Sequence, residues 1–178
     1  LYKQSGLLGV SGISSDMQVL EESNAPEAEE AKALFAYDSE SDTISNTHEW
    51  CARETDSQIE RLQGLPLTDF PWLRKHFLAG RVVAVNDVEA LPESAAAERA
   101  EFRREAIRSL LNVPLGYGGA FAGFIGLDDL RRRREWANED IQLLRTAGEI
   151  IINSLGRLRT MERLQRSEAS LAAAQHIA

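Results

Sequence analysis

The sequence predicts an α+β domain, a mostly antiparallel sheet with helices packed on its faces and a long helix leaving at the C-terminal end. Three observations carry this. Two alternating apolar runs flank a glycine-rich gap between Arg108 and Leu130. Shorter alternating or β-branched runs stand at Ala33–Tyr37, Thr43–Trp50 and Arg81–Val85. An amphipathic repeat with spacings of three and four begins near Asn138 and continues almost to the last residue.

The element order follows from these signals. Val19–Tyr37 reads as a helix with acidic residues early, near the positive end of its dipole, and its last five residues also read as a short apolar strand. After a polar turn, Thr43–Trp50 alternates and makes a second strand. Asp56–Leu65 places Ile59 and Leu62 three apart, a short helix. Thr68 or Asp69 caps a further helix that carries Trp72, Leu73, Phe77 and Leu78 and stops at Gly80. Arg81–Val85 is a β-branched strand and Glu93–Ile107 a helix.

In the central hairpin, Leu111, Val113 and Leu115 share one face, as do Phe121, Gly123, Ile125 and Leu127 on the return strand. Gly116, Tyr117, Gly118 and Gly119 make the turn. Pro114 lacks an amide donor, which suits an edge strand or a position whose N–H is not needed. In the last helix Asn138 serves as N-cap, with Glu139 and Asp140 in the first turn. Ile141, Leu144, Gly148, Ile151, Leu155 and Leu158 form an a/d seam. Helical from Glu139 to Gln175, it would be roughly 55 Å long at ~1.5 Å per residue, more than one small domain covers. The expected partner is a second copy, in a parallel homodimer.

Composition narrows the function classes. A net charge of −8 and a pI near 5.0 argue against generic binding to nucleic acid or to an anionic membrane surface. No apolar run approaches the roughly 20 residues a bilayer span needs. The one cysteine excludes an internal disulfide and fits a reducing, cytoplasmic setting. His48 and Cys51 are too few ligands for a structural zinc, which takes four. Asp128 and Asp129 can pair with Arg131–Arg134 as a solvated charge run. No phosphate loop, and no nucleophile with a paired base, is present, so the chain reads as non-catalytic.

Two resemblances overlay this reading. Lys3–Met17 resembles a segment of the acetate kinase family, whose nucleotide-contacting run matches Ser14, Asp16 and Met17, with Gln18 where that family has arginine. The likeness ends near Tyr37, and the family's other catalytic groups are missing, so residues 1–32 read as a fusion remnant. TISNTHEWC, LPLTDFPWL, RVVAVNDV, IRSLLNVPL, GFIGLD and REWANEDIQLL resemble one bacterial subgroup of the GAF sensor family, over residues 33–160. That resemblance implies a first helix at Ala25–Ala33 and a small-molecule pocket between the sheet and the helices crossing it. Trp50, Phe70, Trp72, Phe77, Val85, Leu111 and Phe124 would line the pocket, with Arg104, Arg108 and Ser109 as polar contacts. It further implies a downstream PAS, histidine kinase or diguanylate cyclase module. Residues 161–178 read as a helical linker toward it, their end resembling a PAS opening turn. The alternatives are a spacer domain without ligand and, more remotely, an acetate kinase fragment. The sequence names neither ligand nor cofactor.

Overall fold

The computed structural model describes residues 30–51 and 57–175. The acetate-kinase-like stretch up to residue 29 therefore lies outside the described residues. Among the described residues six strands form one sheet: β1 (Glu30–Asp38), β2 (Thr43–Cys51), β3 (Leu65–Pro66), β4 (Val83–Val85), β5 (Ser109–Tyr117) and β6 (Ala120–Asp129), in spatial order β3-β2-β1-β6-β5-β4 with every neighbouring pair antiparallel. Helices α1 (Pro71–Leu78) and α2 (Ala96–Arg104) cover one face. Helix α3 (Asn138–Gln175) packs its first turns on the other.

The period of two sorts the side chains. Leu34, Leu111, Val113, Leu115, Ile125 and Leu127 meet Leu144, Ile151 and Ile152 of α3. Ala33, Phe35, Leu110 and Phe124 face α1 and α2 instead. Gly118 and Gly119, with φ of +62° and +84°, close β5–β6 in two residues, which is tighter than the four-residue gap expected. β5 is not an edge strand, but β4 pairs only with Leu110–Asn112, so Pro114 lies past the end of that ladder.

Several expectations are corrected. Glu30–Asp38 is strand throughout and not the end of a helix, because its apolar side chains alternate between two buried faces. No helix forms over Ser57–Leu65. The amides of Gln58 and Ile59 donate instead to Glu49 Oε2 at 2.7 and 2.9 Å, and Gly64 turns the chain at φ +61° into β3. On α1 only Leu73 and Phe77 are buried, while Leu78 faces solvent. α1 does end as expected, with Gly80 N–H bonding Phe77 O and Arg81 N–H bonding His76 O.

At the start of α3, Ala137 holds the capping position: Ile141 N–H bonds its carbonyl, and Asp140 Oδ2 accepts its amide at 2.9 Å. Ile141, Leu144, Gly148 and Ile151, expected on an intermolecular seam, are packed on the protein's own sheet. A Cβ at Gly148 would stand 2.5 Å from Leu115 Cδ2, so the helix approaches the strands closely. Only the backbones of Leu155 and Leu158 are described.

α2 ends with the same pair of bonds as α1, Ala106 N–H to Arg103 O and Ile107 N–H to Phe102 O, but an alanine at φ +59° occupies the left-handed position. A Cβ there costs roughly 1–2 kcal/mol, offset in part by the smaller chain entropy of alanine. Ala106→Gly is expected to raise stability by about 0.5–1 kcal/mol, a rise of a few degrees in the melting temperature.

Candidate functional site

Between the sheet and the α1–α2 layer lies a cavity of about 400 Å³, within the roughly 300–1,000 Å³ range of small-molecule sites. Its floor is sheet: Ala33 and Phe35 from β1, Phe124, Gly126 and Asp128 from β6, and Asn112 from β5. Ala33 and Gly126 are register partners, and their small size hollows the floor at its centre. Leu62, Leu65, Phe70, Leu73, Phe102 and Ile107 complete an apolar wall. Phe35 and Phe124 stack with centroids 4.5 Å apart, and Phe77 stacks behind Phe124 at 4.6 Å.

One end is polar. Glu49, Gln58, Arg61, Glu101, Arg104 and Glu105 converge there with Asp128 and Asn112. Glu49 fastens the 57–59 loop, since Ser57 Oγ donates to it along with the Gln58 and Ile59 amides. Arg104 pairs with Glu101, and Arg61 stands 3.9 Å from Glu105. Both guanidinium side chains are more than half exposed, at 61% and 53%, so the cations sit on the rim. The Glu105 carboxyl is pushed up to about 7, chiefly by burial and then by the neighbouring Glu101. That of Asp128 is pushed up to about 8, by burial first and then by Glu105 and Glu49.

Both shifts act on stability in the same direction. A carboxyl whose folded value lies above its unfolded value binds its proton more tightly when folded, so stability falls as pH rises from about 4 toward 8. Asp128→Asn keeps the neutral shape. It is expected to melt with the parent at pH 4 and to exceed it by on the order of 1–2 kcal/mol at pH 8.5.

Of the pocket residues expected from sequence, Phe70, Phe124 and Arg104 line this cavity. Leu111 lies on the opposite sheet face, against α3, because it alternates with Leu110 and Asn112. Phe77 and Val85 are buried in the core that holds α1 and α2, and Trp72 packs at its margin with its ring 4.4 Å from that of His76. Ser109 is buried and spends its hydroxyl on the 132–134 loop, donating to Arg132 O and accepting from Arg134 N–H. Arg108 is exposed, and its backbone donates to Asp129 O and accepts from Val88 N–H. Of Trp50 only the backbone, opposite Lys32, is described.

The charge run divides likewise. Asp129 accepts the amides of Arg131 and Arg132, Arg133 pairs with Asp87 at 3.0 Å, and Arg134 pairs with Asp140 at 3.1 Å, while Asp128 turns into the cavity. Sequence reasoning missed Asn112, Asp128, Glu105 and Gly126. A signal is present: Asn112 and Asp128 fall on the strand faces opposite Leu111, Val113, Ile125 and Leu127, in phase with the apolar Leu110 and Phe124. Among the described residues no group of three His, Cys, Asp or Glu side chains is arranged to hold a metal ion.

Comparison with known proteins decides the family. The GAF domain family model matches residues 18–155. The chain belongs to the GAF domain family. Over 131 residues, 72% of this chain, it is 36% identical to the methanogenesis regulatory histidine kinase FilI of Methanothrix harundinacea. It spans only 14% of that relative's length. A 37-residue stretch, 21% of the chain, is 62% identical to acetate kinase of Rickettsia felis and covers 10% of that enzyme, a short partial match. Among solved structures, the third GAF domain of Slr1393 from Synechocystis sp. PCC6803 superimposes with a TM-score of 0.65 at 19% identity, covering 86% of this chain and 95% of that one. A domain assigned to a two-component sensor histidine kinase of Sinorhizobium meliloti 1021 gives 0.65 at 15% identity, covering 90% and 99%. At these identities the likeness is one of GAF fold. Among the described residues of this GAF domain no helix is long and apolar enough to cross a membrane.

Proposed function

We propose that this GAF domain is a non-catalytic sensory module of a larger signalling protein of histidine kinase or diguanylate cyclase type. A small molecule bound in the cavity shifts α3, which leads on to a PAS, kinase or cyclase module in the same chain. One observation carries the reading: β5 and β6 present alternate residues to the two sides. Asn112, Phe124, Gly126 and Asp128 face the cavity, while Leu111, Val113, Ile125 and Leu127 face the helix. A ligand that moves either strand moves the bed of α3, and packed interfaces respond in discrete steps. Kinship with FilI supports the regulatory context.

The same reading includes a homodimer through α3. Because Ile141, Leu144 and Ile151 are taken by the sheet, the face offered to a second copy is the opposite one. It carries the exposed Leu143, Ile150, Met161 and Leu164. Without a ligand the domain would act as a dimerising spacer.

The test is thermal stability against a panel of cyclic nucleotides, ATP, small acids, amines and other metabolites. A true ligand at ~100 times its dissociation constant adds about 2.7 kcal/mol. Ala33→Leu fills the cavity floor and is expected to abolish that shift without unfolding the domain. Absence of any shift, with a dimer by sedimentation, would leave the spacer role.

A further inference from the structure

We infer that the polar end of the cavity receives an organic cation, an ammonium or amidinium group carried on an apolar body. This rests on the reading of the cavity as a ligand site. The first observation is Asn112. It is 6% exposed, it lines the cavity, and its side-chain amide has no hydrogen-bond partner among the described residues. A centrally placed asparagine on an otherwise apolar sheet face, its amide open to the cavity, points to a partner that enters the cavity. Its Oδ1 lies where a Cβ on Gly126 would meet it at 2.4 Å, over the hollow of the floor.

The second observation is the sign of the charge beside it. Asp128 is on the same face of the adjacent strand, and the charges acting on it are those of Glu105 and Glu49, both of its own sign. Glu105 Oε1 is buried without a hydrogen bond. From β2, the 57–64 loop, α2 and β6 together, the charged groups facing this end are Glu49, Arg61, Glu101, Arg104, Glu105 and Asp128. The two cations are the exposed ones. Glu49 Oε2 already accepts three donors, and Glu101 Oε1 is paired with Arg104. Inside, the carboxyl groups of Asp128 and Glu105 and the amide oxygen of Asn112 offer acceptors that only the exposed Arg61, 3.9 Å from Glu105 Oε1, approaches. A donor-rich cation supplies the missing hydrogen bonds and relieves the repulsion between carboxylates in one step. An anion would add to that repulsion. The stacked Phe35 and Phe124 offer a flat apolar surface for the rest of the ligand.

The test is calorimetric titration of the intact chain at pH 8 with 2-phenylethylamine, using 2-phenylethanol and 3-phenylpropionate as neutral and anionic analogues. The amine is expected to bind at least ten-fold more tightly than the alcohol, and the propionate most weakly. Amine affinity should also rise between pH 6 and pH 8.5, as the carboxyls give up protons to bind it. The double variant Asp128→Asn, Glu105→Gln keeps the side-chain shapes and is expected to bring the amine down to the alcohol's level with the folded melt retained. Equal or tighter binding of the alcohol or propionate, lost in Ala33→Leu, would overturn the cation and leave the ligand site standing. Amine binding unchanged in the double variant would overturn it too. Failure of all three probes to bind would overturn both.

Discussion

Gly123→Ala is expected to destabilise the domain by roughly 3–4 kcal/mol, a fall of about 10 °C in the melting temperature. Gly123 has φ +153° and pairs with Ala36 of β1 and Leu115 of β5, at the centre of the sheet. A Cβ there would stand 2.0 Å from the carbonyl oxygen of Phe35. No rotamer change relieves a clash with backbone, so the strands must part or β6 must change its path. The β5–β6 register already shifts beside this point, between Leu115 and Gly116. Chemical denaturation of the variant against the parent measures the loss. Gly118→Ala is the control, because its Cβ would meet nothing within 4 Å and only its φ of +62° is unfavourable, for a loss of about 1 kcal/mol.

Glu98→Ala is expected to cost about 3 kcal/mol, and Glu98→Gln about 1 kcal/mol. Glu98 on α2 is fully buried, and its Oε1 accepts the amides of Trp72 at 2.8 Å and Leu73 at 3.1 Å. Those amides open α1, which begins at Pro71 with no side-chain cap of its own. The carboxylate thus does for α1 what a capping residue does elsewhere, from a different helix, and joins the two helices that roof the cavity. Alanine strands two buried donors and leaves a hole. Glutamine keeps the acceptor but places an amide where the unpaired Oε2 now lies. A smaller loss for alanine than for glutamine would contradict this account.

Much of the domain was legible in the sequence because the signals are local. The alternation in SLLNVPL and FAGFIGL needs no knowledge of the rest of the chain to announce a hairpin, and Gly80 marks a helix end by its backbone freedom alone. The helix expected over Asp56–Leu65 rests on the helical spacing of Ile59 and Leu62, whereas the Glu49 carboxylate, distant in sequence, takes the amides of Gln58 and Ile59. The exit helix was misread in its use. An a/d seam states only that one face is apolar, and the protein's own sheet claims that face from Ile141 to Ile152. Of the expected pocket residues, Phe70 and Phe124 line the cavity, whereas Phe77 and Val85 lie outside its lining for a similar reason. Hydrophobicity predicts burial, and Phe77 and Val85 are buried, but in packing against each other's neighbours and not around a void.

By itself the sequence determined the sheet, its central hairpin, the two-faced burial and the family, since each rests on periodicity or on short motifs. Only the tertiary structure decided where the cavity lies and what it is made of. Its floor depends on Ala33 lying beside Gly126 across two strands, and its polar end on Glu105 and Asp128 meeting from a helix and a strand. Such meetings are set by register and by the placement of α2 over the sheet, and neither quantity is written in any one stretch of the chain.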